Sequence, residues 1–228
     1  MVTMSQFYHA LWLSLIVSGS ATVIGALIGI PLGTVLSEFH FRGKRGVLTV
    51  VHAFMGLPPV VVGLFTFLII ARSGPLGSLG LVYTITAMVL VQVVLAAPII
   101  TGLTHAALQD LDPRLGLQAR SLGATRGQSM LVKLREARAG LVAAVIAGFG
   151  RVIAEVGAVT IVGGAINGKT DTLTTLTVKL TRQGYTSLAL LVGMVLIVLA
   201  VIVNVFLTRL QTDKAQREAQ KRVTGYVA

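Results

Sequence analysis

Long stretches of this chain carry no charge, and that limits what it can fold into more than any other feature. Residues 1–37 contain no Asp, Glu, Lys or Arg, nor do residues 46–71, 73–109 and 183–208, and residues 139–168 are interrupted only by Arg151 and Glu155. Each run exceeds the roughly 20 residues an α-helix needs to cross about 30 Å of hydrocarbon. Five transmembrane helices are therefore predicted, at about 10–36, 46–71, 79–105, 140–165 and 185–208, within one membrane domain covering residues 1–228. Composition supports the same class: 54% of the chain is hydrophobic and 12% charged, where ordinary soluble domains carry about 25% charge. The expected fold is an all-α integral membrane protein. The first run is too long for a signal-peptide core and lacks a basic start, so it is read as a span and not a cleaved leader.

The chain has no cysteine. Disulfides, zinc–thiolate sites and thiol catalysis are excluded. Its four histidines include no pair at metal-ligand spacing on one predicted helix, so no metal site is expected. The net charge is +11, which in a soluble protein would suggest nucleic acid. Here the basic residues lie mainly between the apolar runs, so they are read as a topology signal and no nucleic-acid partner is expected. Arg42, Lys44 and Arg45 follow the first span. Arg114, Arg120, Arg126, Lys133, Arg135 and Arg138 lie between the third and fourth, and Arg209, Lys214, Arg217, Lys221 and Arg222 form a tail at 209–228. The opposite side receives only Arg72, Lys169, Lys179 and Arg182. The positive-inside rule then puts the N-terminus outside and the C-terminus in the cytoplasm, with the tail anchored on anionic lipid.

Within the spans, Gly25, Gly29 and Gly33 share one helix face. Small residues at that spacing let helices approach closely in lipid, either within one subunit or between two. Pro58 and Pro59 interrupt the second span. Such a break is either a structural kink or a bend lining a pathway. Arg151 and Glu155 are four residues apart, so on a continuous helix they face the same way and can neutralise one another. The sharper alternative makes Arg151 part of an anion path.

The run Gly163 to Thr170 satisfies the G-x-x-x-x-G-K-[ST] pattern. A phosphate loop needs a preceding strand, and an apolar span stands there instead, so a glycine turn is expected. The segment 167–184, with Lys169, Lys179, Arg182 and many threonines, is read as a hydrated outer loop, with binding-protein or anion contact as the alternative.

Residues 110–139 are too polar to span and too patterned to be slack. Asp110 or Asp112 can cap a helix starting near Pro113. Leu115, Ala119 and Leu122 recur at helical spacing, Gly123 interrupts, and a second helix follows with Met130, Leu131 and Leu134 as its apolar side. Two short helices meeting at a glycine turn suit docking to a soluble partner. A membrane-surface connector is the plainer reading.

In this segment the chain resembles a family. Leu117-Gln118-Ala119-Arg120-Ser121-Leu122-Gly123-Ala124-Thr125 is similar to the coupling motif of ABC-importer permeases, which reads Glu-Ala-Ala, a three-residue spacer, Gly, and further on Ile-x-Leu-Pro. Ala119 and Gly123 match. Leu117 replaces the Glu and Gln118 the first Ala, and Lys133-Leu134-Arg135-Glu136 stands where Ile-x-Leu-Pro is usual. Gly56-Leu57-Pro58-Pro59-Val60-Val61-Val62-Gly63-Leu64 resembles a core helix of molybdate, sulfate and tungstate permeases. Gly150 to Ala158, with Ala-Glu-Val-Gly-Ala followed by Val162-Gly163-Gly164, looks most like the tungstate branch.

The resemblance implies a type I ABC-importer permease fold, a pathway formed with a second copy of the chain, and an extracytoplasmic oxyanion-binding protein. It also implies a dimer of cytoplasmic ABC ATPases docked on Ala119, Arg120, Ser121, Leu122, Gly123, Ala124 and Thr125. No cofactor is expected on this chain; ATP and magnesium would sit on the partner ATPase. The implied cargo is tungstate, with molybdate or sulfate as alternatives. An intramembrane enzyme is the rival from another class, but chemistry of that kind needs acids, histidines or a metal at membrane depth, and Glu155 is the one carboxylate inside a predicted span.

Overall fold

The computed structural model describes residues 3–225, with side chains described as far as Arg209. All its regular elements are helical: α1 (Met4–Glu38), α2 (Lys44–Met55), α3 (Pro59–Ile70), α4 (Ile85–Gln109), α5 (Arg114–Ser121), α6 (Arg126–Glu136), α7 (Arg138–Ile153), α8 (Gly157–Gly163), α9 (Leu173–Arg182) and α10 (Thr186–Gly225), with one 3₁₀ turn at Gly77–Leu79. Three helices, α1, α4 and α10 up to Arg209, are long and apolar enough to cross a membrane alone. The pairs α2–α3 and α7–α8 bring the number to five if each counts as one bent span.

The boundaries differ from the sequence expectation for local reasons. α1 starts at Met4, not near residue 10, because Thr3 and Gln6 form a capping box: the Gln6 N–H donates to Thr3 Oγ1 and the Thr3 N–H to Gln6 Oε1. The third span begins at Ile85, not 79. Gly80 and Tyr83 are both left-handed, at φ +60° each, so no helix can pass through them. Thr84 then caps the new helix by accepting the Ala87 N–H. α10 continues without a break as far as Gly225, so the expected tail at 209–228 begins as helix. The lipid-anchor reading of Lys214, Arg217, Lys221 and Arg222 concerns side chains outside the described residues.

The core forms around α4. Met88, Val91, Ala96 and Ile100 pack with Leu13 and Val17 of α1, Val62 of α3, Ala144 and Val152 of α7, and Ala158, Val159 and Val162 of α8. A second cluster joins Ala10 to Leu173, Leu176 and Leu180 of α9 and Ala189 and Val192 of α10. The glycine stripe of α1 is consumed inside the chain. A Cβ on Gly33 would lie 2.6 Å from the Thr101 carbonyl oxygen of α4, and one on Gly29 2.9 Å from Ile100 Cβ. α10 behaves oppositely: Leu190, Ile197, Val198 and Ile202 point outward, the surface of a helix solvated by lipid.

Candidate functional site

Two places in this fold depart from simple helix packing: a pair of broken helices in the membrane body, and a pair of short helices between α4 and α7.

The first break lies at Gly56–Pro58, where α2 and α3 meet at 102°. Pro58 and Pro59 cause it. Pro59 opens α3, a position that needs no backbone donor, and Pro58 stays extended at ψ 121°. The Pro58 carbonyl accepts the N–H groups of Val61 and Val62, so the break leaves it satisfied. Each half is 12 residues long, about 18 Å, and neither alone could cross.

The second break, at 154–156, corrects the expected Arg151–Glu155 ion pair. The fourth span is not one helix over 140–165: α7 stops at Ile153, α8 starts at Gly157, and the two are bent by 61°. Arg151 and Glu155 therefore do not share a helix face. Glu155 is buried, and its Oε1 accepts the Ala158 N–H at 3.0 Å, capping α8. Arg151 is half-buried in the last turn of α7, where the negative end of the helix favours a cation. Among the described residues no carboxylate lies within salt-bridge distance of it.

The breaks meet. A Cβ on Gly63 would lie 2.6 Å from Ala158 Cα, and one on Gly157 2.5 Å from Val60 Cγ2, so α3 and α8 touch backbone to backbone next to both interruptions. Neighbouring elements hold the carbonyls around the second break. Gln92 Nε2 of α4 donates to the Val152 carbonyl at 3.0 Å, and Thr174 Oγ1 of α9 donates to the Glu155 carbonyl at 3.0 Å. In lipid, non-helical backbone persists only with such partners. Sequence reasoning passed over Gln92. The sequence signal there is an amide in the middle of the uncharged run 73–109, and the structure buries it.

The segment after α8 forms the expected glycine turn and corrects the loop reading of 167–184. The run 163–170 forms no phosphate loop. Gly164, Ala165 and Gly168 turn the chain in left-handed conformations. Thr170 is fully buried, donating to the Gly163 carbonyl at 2.6 Å and accepting the Ile166 N–H at 2.9 Å, so its hydroxyl is already committed. Nor is 167–184 a hydrated loop. It holds α9, with Thr170 through Leu176 all buried. Asp171 accepts from Thr175 Oγ1 and pairs with Lys179 at 3.3 Å, while Lys179 also reaches Asn167. The Leu173 N–H donates to Ser14 Oγ of α1 at 2.8 Å.

The second place is the α5–α6 pair. Of the two candidate caps, Asp112 is the one used: its Oδ1 accepts the Arg114 N–H at 2.8 Å. α5 ends where Gly123 turns left-handed at φ +89°, and Thr125 and Gln128 form a capping box that starts α6. Ala119 and Ala124 are half-buried, and their backbones are joined by the Ala124 N–H donating to the Ala119 carbonyl. Arg120, Ser121, Gly123 and Thr125 are exposed, and Leu122 at the apex is 90% exposed. The expected apolar side of α6 shifts. Ser129 is buried, donating to the Gly116 carbonyl at 3.1 Å, whereas Leu131 turns outward.

A bundle of apolar helices with two facing interruptions and a polar helical elbow between α4 and α7 is the architecture of a transport permease. The chain belongs to the family of binding-protein-dependent transport system inner membrane components, whose family model matches residues 21–215. It is 37% identical over 208 residues to the tungstate uptake system permease protein TupB of Peptoclostridium acidaminophilum, covering 91% of each chain. It is also 37% identical over 214 residues to a probable anion ABC transporter permease protein of Haloferax volcanii, covering 92% of each. Among solved structures it matches a bacterial ABC transporter involved in import of the acidic polysaccharide alginate, with a TM-score of 0.75 at 21% identity over 92% of this chain and 80% of that one. The type I importer fold is thus shared where the sequences have diverged.

Proposed function

We propose that this chain is the translocating subunit of an ATP-driven importer that carries tungstate into the cell by alternating access. The observation that carries the reading is the near-full-length likeness to a tungstate permease. The facing breaks of α2–α3 and α7–α8 support it, because discontinuous helices meeting inside a membrane body are how transporters build gated sites.

An energy source is required. Moving a dianion into a negative-inside cell costs about 4.6 kcal/mol per 100 mV, and an open pore would let the accumulated anion leak out. ATP and magnesium act on a separate cytoplasmic ATPase pair, docked on Ala119 to Thr125 around the exposed Leu122 apex. A second copy of the chain completes the pathway, and an extracytoplasmic protein delivers the anion. The basic residues of α5–α6 and of the 39–45 turn support a cytoplasmic location for both, with the N-terminus outside. Arg151 serves as a passing contact for the anion beside the second break. Its half-burial without a carboxylate partner among the described residues supports that role.

Reconstitution with the ATPase and delivery protein tests the function. ATP-dependent uptake of tungstate, resisting excess sulfate, is expected. Uptake of sulfate or molybdate in preference would reassign the cargo, and uptake without ATP would overturn the mechanism. Arg151→Met should cut uptake with the complex still assembled; normal uptake removes Arg151 from the path.

A further inference from the structure

We propose that the Glu38–Lys133 ion pair is the tie through which movement of the α5–α6 elbow reaches the membrane body, with α1 as the receiving rod. The inference rests on the reading that α5–α6 docks an ATPase.

Glu38 is the last residue of α1, and its Oε1 lies 2.7 Å from Lys133 Nζ of α6. A carboxylate at a helix C-terminus faces the negative end of the helix, which is unfavourable by itself. Lys133 offsets that. Both side chains are about three-quarters buried, at 23% and 25% exposure, so the pair is screened less by solvent than a surface bridge.

The fold makes room for this contact. A Cβ on Gly116 would lie 2.7 Å from Lys133 Cε, so the lysine stem crosses α5 where there is no side chain. One turn before Lys133 on the same helix, four positions away, Ser129 donates to the Gly116 carbonyl, which fastens α5 to α6. The two short helices therefore move as one piece. Their chain connections run to α4 and α7, and Lys133 adds a third attachment, to α1.

Beyond Glu38 the connection is one continuous helix. α1 runs for 35 residues through Pro31, and Gly29 and Gly33 on either side of that proline seat it directly on α4. Near its other end, Ser14 Oγ accepts the Leu173 N–H, linking it to α9, whose Thr174 holds the Glu155 carbonyl at the second break. A push on Lys133 thus has a continuous physical route, through Glu38, α1 and α9, to the interruption beside Arg151.

The test uses the assembled importer in proteoliposomes, measuring tungstate uptake and ATP hydrolysis in the same vesicles. Lys133→Met and Glu38→Gln should each keep the ATPase bound and hydrolysing, while tungstate moved per ATP falls about fivefold, the low end of allosteric coupling factors. Lys133→Arg should retain wild-type stoichiometry, and the exchange Glu38→Lys with Lys133→Glu should recover most of it. An unchanged stoichiometry in Lys133→Met overturns the tie, as does a charge exchange no better than either single change. If the unmodified complex shows no ATP-dependent uptake, the docking reading itself has failed, a result separable from failure of the tie.

Discussion

The α1–α4 seam and the α3–α8 seam are built from the same material, glycine against backbone, yet they sit on opposite kinds of helix. α1 and α4 are continuous, and three glycines in one stripe seat them together over several turns. α3 and α8 are the short halves of broken helices, and Gly157 opens α8 while Gly63 lies just over a turn into α3. The first arrangement spreads contact along two long helices. The second concentrates contact at a point where the backbone already changes direction. Close packing alone therefore does not separate a frame from a joint; whether the helix continues past the contact is what differs between the two seams.

Substitutions can break or sharpen that distinction. The largest effect is expected from Gly33→Val, because a Cβ there meets the Thr101 carbonyl at 2.6 Å and Thr104 at 2.7 Å, with rigid helices on both sides. A loss of about 2–3 kcal/mol should appear as a sharp fall in thermal stability in detergent, with transport lost in proportion. Gly63→Ala should be more selective. Its Cβ meets Ala158 Cα at 2.6 Å, and uptake should fall about tenfold, equivalent to ~1.4 kcal/mol on the rate-limiting step, with a smaller change in melting temperature. Uptake unaffected by Gly63→Ala would make the α3–α8 seam frame as well. Ser14→Ala strips the buried Leu173 N–H of its acceptor, costing about 1–2 kcal/mol; its place between frame and joint predicts modest loss in both assays. Gly25→Ala should do least. Its Cβ would sit 3.1 Å from Ala96 Cβ, and the gain in helix propensity of about 1 kcal/mol offsets the squeeze, so melting should move little.

The spans were legible because lipid leaves a blunt record, the absence of charge over 20 or more residues. The first break was legible too, because Pro58 and Pro59 announce it. The second carried no proline. Assuming an unbroken helix made Arg151 and Glu155 look like partners, when Glu155 instead caps α8 three residues on. A carboxylate shortly before Gly157 was the available clue. α9 is hard to read from sequence because its threonines and lysine suggest water, although Leu173, Leu176 and Leu180 mark an apolar side. The elbow of α5 and α6 was visible from its caps and Gly123. Its tie to Glu38 was not, because the two partners lie 95 residues apart and only the folded path of α1 brings them together.

α1 is also longer than the bilayer it crosses. Its 35 residues extend about 52 Å, against about 30 Å of hydrocarbon and 40–45 Å with headgroups included. A helix of that length either leans or extends past the headgroups. Where it leans, a thicker bilayer lets it stand more upright and a thinner one tilts it further. In a leaning helix, bilayer thickness bears on the angle at which Glu38 approaches Lys133.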